Sequence, residues 1–275
     1  MRMDYNWLRV GMAGLAIALS LTVTTAAFAA PFEFSVTAKA AFDRMIEASP
    51  ASVAAGLKKQ HAELQTLQQQ DLGWDAEIAS LRYQNEENEG KLQKRIREID
   101  AAKITSLAEA SAALKKQYEP LFELYDTQKT QLSLAKSFKN KELTAIMNMQ
   151  VEATKAAVQA AKKKLAAKEA EIKQAKSAAT AKMKQIRDML GANDATVAKI
   201  KAAKSAAGTY KKLFATEAKV LGSAVRGGDA TATAGSFTRM IDYQRQILIQ
   251  KVNIHAYEGR IADTIAKAEA KMLSY

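Results

Sequence analysis

Val151, Val158, Leu165, Ile172, Ala179 and Ile186 stand seven residues apart through a stretch rich in alanine and lysine. A seven-residue apolar period requires a long helix with a partner beside it, because every second turn returns an apolar side chain to the same edge. The period recurs at Met240, Ile247, Ile254, Ile261 and Ala268, with Ile265 and Met272 on the adjoining row. It also runs through Leu57, Leu64, Ile78, Leu92 and Ile99, where Asp71 and Asn85 interrupt it. The expected fold is therefore all-α, an elongated antiparallel coiled coil or helical bundle of long helices. Its structural seam is expected at Val158, Leu165, Ile172, Ile186, Met240, Ile247, Ile254 and Ile261.

The start of the chain has a different character. Arg2 and Arg9 precede an uncharged stretch from Gly11 to Ala30, which ends in Ala27, Phe28 and Ala29. Basic residues, an apolar core and small residues at the end make a secretory signal over residues 1–29, with cleavage expected between Ala29 and Ala30. The alternative is a retained anchor. The expected location is secreted or extracytoplasmic, yet the chain has no cysteine, so helix packing must supply the stability that disulfides often give exported proteins. Three prolines and twelve glycines are too few for the frequent turns of a sandwich or barrel.

Punctuation divides the rest. Residues 30–48 read as a short amphipathic segment whose apolar members are Phe34, Phe42, Met45 and Ile46. Ser49 and Pro50 supply an N-cap and a first-turn proline, so a long helical hairpin is expected over 49–190. The heptad frame shifts between Ile99 and Ile104, the mark of a coiled-coil discontinuity. Glu119-Pro120 is the first choice for the turn of the hairpin, because an interior proline removes a hydrogen bond and clashes with the preceding turn. It would divide the hairpin into arms of nearly equal length, 51–118 and 121–190. Lys139-Asn140-Lys141 is the second choice. Gly191 to Asp194 should end that helix, with a helix packing back over 191–221. A flexible loop rich in glycine, alanine and threonine is expected over 222–236, then a C-terminal helix over 237–275.

Charge is unevenly placed. Residues 150–214 hold 15 basic and 5 acidic groups, whereas 30–149 hold 16 and 17 and 215–275 hold 8 and 6. Lys155, Lys162, Lys163, Lys164, Lys173 and Lys176 are the candidate anion-binding residues, against the plainer reading of a solvated helix face. Lys168 and Lys182 fall on the seam itself, which favours antiparallel packing within one chain over a parallel dimer that would juxtapose identical lysines. Few aromatics interleave with these lysines, so the stacking platforms that bind single-stranded nucleic acid are disfavoured.

No motif points to chemistry. Glu86, Glu87 and Glu89 lack the ligand spacing of a calcium loop, and His61 and His255 form no helical metal pair. Ser133 and Lys136 share the spacing of a serine–lysine nucleophile, but its companion motifs are missing. Arg226-Gly227-Gly228-Asp229 reads as a turn. No catalytic residue, cofactor or metal is expected. The expected function is a secreted, non-catalytic coiled-coil scaffold or binding protein at the cell envelope or in the medium. Its partner would be a protein or an anionic cell-envelope polymer, with peripheral membrane contact also open. An extracytoplasmic holdase chaperone is the alternative, followed by a membrane-active helical effector.

Overall fold

A computed structural model describes residues 31–275, so the signal expected over 1–29 lies outside the described residues. These residues form six helices and no strand: α1 (Val36–Ala48), α2 (Ala51–Arg97), α3 (Ala101–Ser137), α4 (Lys141–Gly191), α5 (Asn193–Arg226) and α6 (Ala230–Leu273). α2 and α3 follow one another through the short break at Glu98 to Asp100, and α4 and α5 through Ala192 alone, so two bent helices of nearly ninety residues each dominate the molecule.

Pairing gives the direction of each helix. Glu63 meets Arg245, Asp71 meets Lys251 and Arg95 meets Glu269, numbers that rise together, so α2 and α6 run parallel. Lys115 meets Glu169 and Asp100 meets Lys182, so α3 and α4 run antiparallel. Glu217 meets Arg239 across the short turn between α5 and α6, which are also antiparallel. The result is a three-helix base of α2, α5 and α6, continued by a two-helix arm of α3 and α4. At about 1.5 Å per residue α2 is roughly 70 Å long and α3 roughly 55 Å.

The base has two apolar cores. One gathers Ile78, Leu92, Ile96, Ile186, Ile200, Ile254, Ile261 and Ile265 near the junction with the arm. The other gathers Phe42, Met45, Leu57, Leu64, Leu221, Val225, Phe237 and Met240 at the opposite end, where α1 folds across the bundle. Phe34 stacks on Phe42 at 5.1 Å and on His61 at 5.4 Å, sealing that end with aromatic surface.

Between the cores the helices meet through polar groups. Lys251, 3% exposed, reaches Asp71 at 2.5 Å and Asp75 at 2.7 Å and donates to the Asp71 carbonyl at 3.0 Å. Within the first core, Asn85 donates to the Glu258 carbonyl at 2.9 Å and to its carboxylate at 3.1 Å. Asp71 and Asn85, the two interruptions in the α2 heptad, are therefore matched across the interface. A slip of α6 by one heptad would set Asp71 against Glu258, a buried like-charge pair, so the polar layer fixes the register.

Several expectations need correction. The hairpin turn is at Phe138 to Asn140 rather than at Pro120, which lies inside α3 on an exposed face. The ion pairs Asp100–Lys182 and Lys115–Glu169 have midpoints at 141 and 142, which leaves no room for a turn twenty residues earlier. Lys139 takes the left-handed conformation there (φ 52°), and Asn140 caps α4 by accepting from the Leu143 amide at 3.0 Å. Residues 49–190 are consequently not one hairpin, because the partner of α2 is α6. The segment after Gly191 does not pack back on α4: Ala192 keeps helical angles (φ −60°, ψ −19°), and α5 continues in the direction of α4. Residues 222–236 are helical apart from Gly227 to Asp229, where Gly228 supplies the positive φ of 72° that the turn requires. The N-cap of α2 is Pro50, while the Ser49 hydroxyl donates to the Met45 carbonyl and closes α1.

Candidate functional site

The arm is built from small residues. The buried positions of α3 are Ser111 and Ala135, and those of α4 within the arm include Val151, Val158, Ala161, Ala175 and Ala179. Small side chains let two helices approach closely but remove little apolar area from water. Of the expected seam residues, Val158 and Ile186 are buried in α4 and Leu165 and Ile172 half-buried, while Met240, Ile247, Ile254 and Ile261 are buried in α6 within the base. The seam lysines follow the geometry of their surroundings. Lys182 bonds to Asp100 at 2.8 Å and lies over the Tyr275 ring, and Lys168 reaches Glu171 at 2.7 Å along its own helix.

The candidate anion-binding lysines separate into two kinds. Lys155 is half-buried and paired with Glu152 at 2.9 Å. Lys162, Lys163, Lys164, Lys173 and Lys176 are exposed, and among the described residues none has a carboxylate within 4.0 Å. In the heptad frame Lys162 and Lys176 share one flank of the seam, with Lys163, Lys164 and Lys173 spread over the outward arc. These lysines spread around the outward arc of α4 instead of converging on one point.

The distal end of the arm is where sequence reasoning missed most. Leu134, Phe138, Leu143, Ile146 and Met149 are all exposed around the turn, Phe138 by 75% and Met149 by 74%. Elsewhere on the arm, Leu124 is the one other large apolar side chain with comparable exposure among the described residues. The available signal was negative: these residues fall off the heptad row that continues through Met147 and Val151.

The base contains the other chemically interesting groups. A cleft of about 310 Å³ between α2, α5 and α6 is walled by Phe32, Phe214 and Ile247 and floored by Asp71 and Asp75. Both carboxylates are already engaged by Lys251. His61 sits in the aromatic cluster, where burial is the main influence holding its pKa below 6.5, Lys39 adds to the depression and Asp43 opposes it. The Glu217 carboxyl is held below its ordinary pKa chiefly by the hydrogen bond from Arg239. His255 lies against Trp74 at 5.3 Å, far from His61 along α2. Glu86 and Glu87 pair along their own helix with Arg82 and Lys91, as a solvated face does. Among the described residues no group of three His, Asp or Glu side chains is placed to hold a metal ion, and no helix is long and apolar enough to cross a membrane.

No family model matches this chain, and comparison with curated proteins and with solved structures returned no match.

Proposed function

We propose that this is an exported, non-catalytic scaffold or binding protein of the cell envelope, in which the three-helix base is the stable body and the two-helix arm is the contact element. The observation that carries this reading is the state of Lys162, Lys163, Lys164, Lys173 and Lys176: exposed, without a carboxylate partner among the described residues, and on a helix whose seam uses none of them. Clustered free ammonium groups attract a polyanion, and an anionic cell-envelope polymer is the partner an exported basic arm would meet.

The test is sedimentation of residues 30–275 with purified cell wall over a range of salt, beside a variant with Lys162, Lys163, Lys164 and Lys173 changed to glutamine. Four exposed charges, each contributing a few tenths of a kcal/mol, predict roughly tenfold weaker binding at 0.15 M salt. Equal binding of both proteins would return these lysines to simple solvation.

A further inference from the structure

The tip of the arm combines two properties that the fold itself does not use. Leu134, Phe138, Leu143 and Ile146 all lie within six residues of the turn, about 9 Å of helix, and Met149 follows one turn further on. None of them packs in the arm's seam, which is filled here by Ala135, Met147 and Val151. The charged residues between 127 and 151 are Lys129, Lys136, Lys139, Lys141 and Glu142. Lys136, Lys139 and Lys141 have no carboxylate within 4.0 Å among the described residues. The tip thus presents exposed apolar side chains together with lysines that have no carboxylate partner among the described residues, and Lys136, Lys139 and Lys141 line one open cleft of about 460 Å³ there with Thr144 and Asn148.

We propose that this tip is a membrane-docking element that enters the headgroup region of an anionic lipid bilayer. The reading deepens the role of the arm as contact element and names its distal partner. Exposure is the first argument: Leu134, Phe138, Leu143, Ile146 and Met149 stand 40% to 75% exposed at one end of the arm, and a bilayer yields to an apolar surface of any outline. Depth is the second: the exposed apolar side chains from Leu134 to Ile146 span about 9 Å of helix from the turn, close to the 5–10 Å to which interfacial segments bury their apolar faces. Charge is the third, because Lys136, Lys139 and Lys141, interleaved with these side chains around the turn, can extend their ammonium groups to lipid phosphates while their methylene stems share the apolar layer. The left-handed Lys139 and the Asn140 cap hold Phe138 at the turn. The tip docks peripherally, because the described residues contain no spanning helix.

The experiment uses residues 30–275, which contain every described helix and exclude the apolar leader that would itself bind lipid. Vesicles of phosphatidylcholine with 30% phosphatidylglycerol and vesicles of phosphatidylcholine alone are co-sedimented with the protein. Binding is expected to the anionic vesicles and to be at least about tenfold weaker to the neutral ones. Phe138→Ser with Ile146→Ser should lower it at least about tenfold again, since each side chain contributes close to a decade when buried. Both side chains are exposed, so an unchanged circular dichroism melt verifies the fold. In a second variant, Phe138→Trp, emission should shift to the blue on adding anionic vesicles and be quenched by brominated lipid. Absence of vesicle binding, or binding unaffected by the tip substitutions, overturns the proposal. So does a lipid-free blue shift with dimers in sedimentation velocity, which would make the tip a contact between copies. Suppression of client aggregation through the tip without lipid binding would assign it to a chaperone and also overturns it. Loss of cell-wall binding in the α4 lysine variant is read separately, so the two proposals fail independently.

Discussion

Lys251 is the residue on which the base turns. Its ammonium is buried and holds Asp71 and Asp75 across the α2–α6 interface. Removing one partner of a buried ionic group leaves the others uncompensated, so Lys251→Met should destabilise the protein by about 3–5 kcal/mol. Replacing Lys251, Asp71 and Asp75 together by apolar residues should recover most of that loss. Urea unfolding of both variants checks the pair, and a single substitution as mild as the triple would show that the cluster carries little energy. His61 gives a pH prediction. Because its folded pKa lies below 6.5, the unfolded chain takes up the proton first as pH falls. Stability is therefore full above pH 6.5 and declines below it until the folded pKa is reached. His61→Phe keeps the aromatic contacts with Phe34 and Phe42 and should flatten the melting temperature between pH 7.5 and 5.5 relative to the parent protein. Glu217 titrates lower, so its contribution is lost only in more acidic solution and cancels in that comparison.

At the scale of the element, both bends in the long helices differ from what a proline would impose. Pro120 sits inside α3 on the exposed side, where it lacks an amide to donate yet starts no turn. Pro120→Ala should restore one backbone hydrogen bond and stabilise the arm by up to about 3 kcal/mol. Slower amide exchange over residues 112–124 is the readout, and unchanged exchange would mean the neighbouring helix already compensates. The break between α2 and α3 depends on Asp100, left-handed at φ 57° and bonded to Lys182. Asp100→Ala should cost about 1–2 kcal/mol, because alanine tolerates that conformation poorly. Asp100→Asn should cost less, since asparagine accepts the backbone angle and only a partly exposed ion pair is lost. The break was legible as the frame shift between Ile99 and Ile104, because a discontinuity leaves its mark in the spacing of apolar residues. The hairpin turn was not legible as first choice, because proline is a strong local signal while Asn140 and Lys139 act through a cap and a backbone angle common in any sequence.

Across the whole molecule, the base and the arm differ in what they bury. The base packs leucine, isoleucine, phenylalanine and methionine, whereas the arm packs serine, alanine and valine. Less apolar burial per residue implies a lower opening free energy. Amides of residues 105–180 should therefore exchange faster than those of 57–92 and 240–268, and uniform protection would contradict this division. The all-helical class, the seams and the uneven charge were determined by the sequence alone, because heptad periodicity and composition act locally and survive any arrangement of the helices. The partner of each helix was decided only in three dimensions. Equal segment lengths suggested that residues 51–118 pair with 121–190, but apolar heptads are nearly interchangeable as partners. The choice rests on polar matches between distant residues, Asp71 with Lys251 and Asn85 with Glu258, and on ion pairs such as Lys115 with Glu169. The same holds for the tip: Phe138 and Ile146 are ordinary apolar residues in the sequence, and only the position of the turn leaves them without a partner.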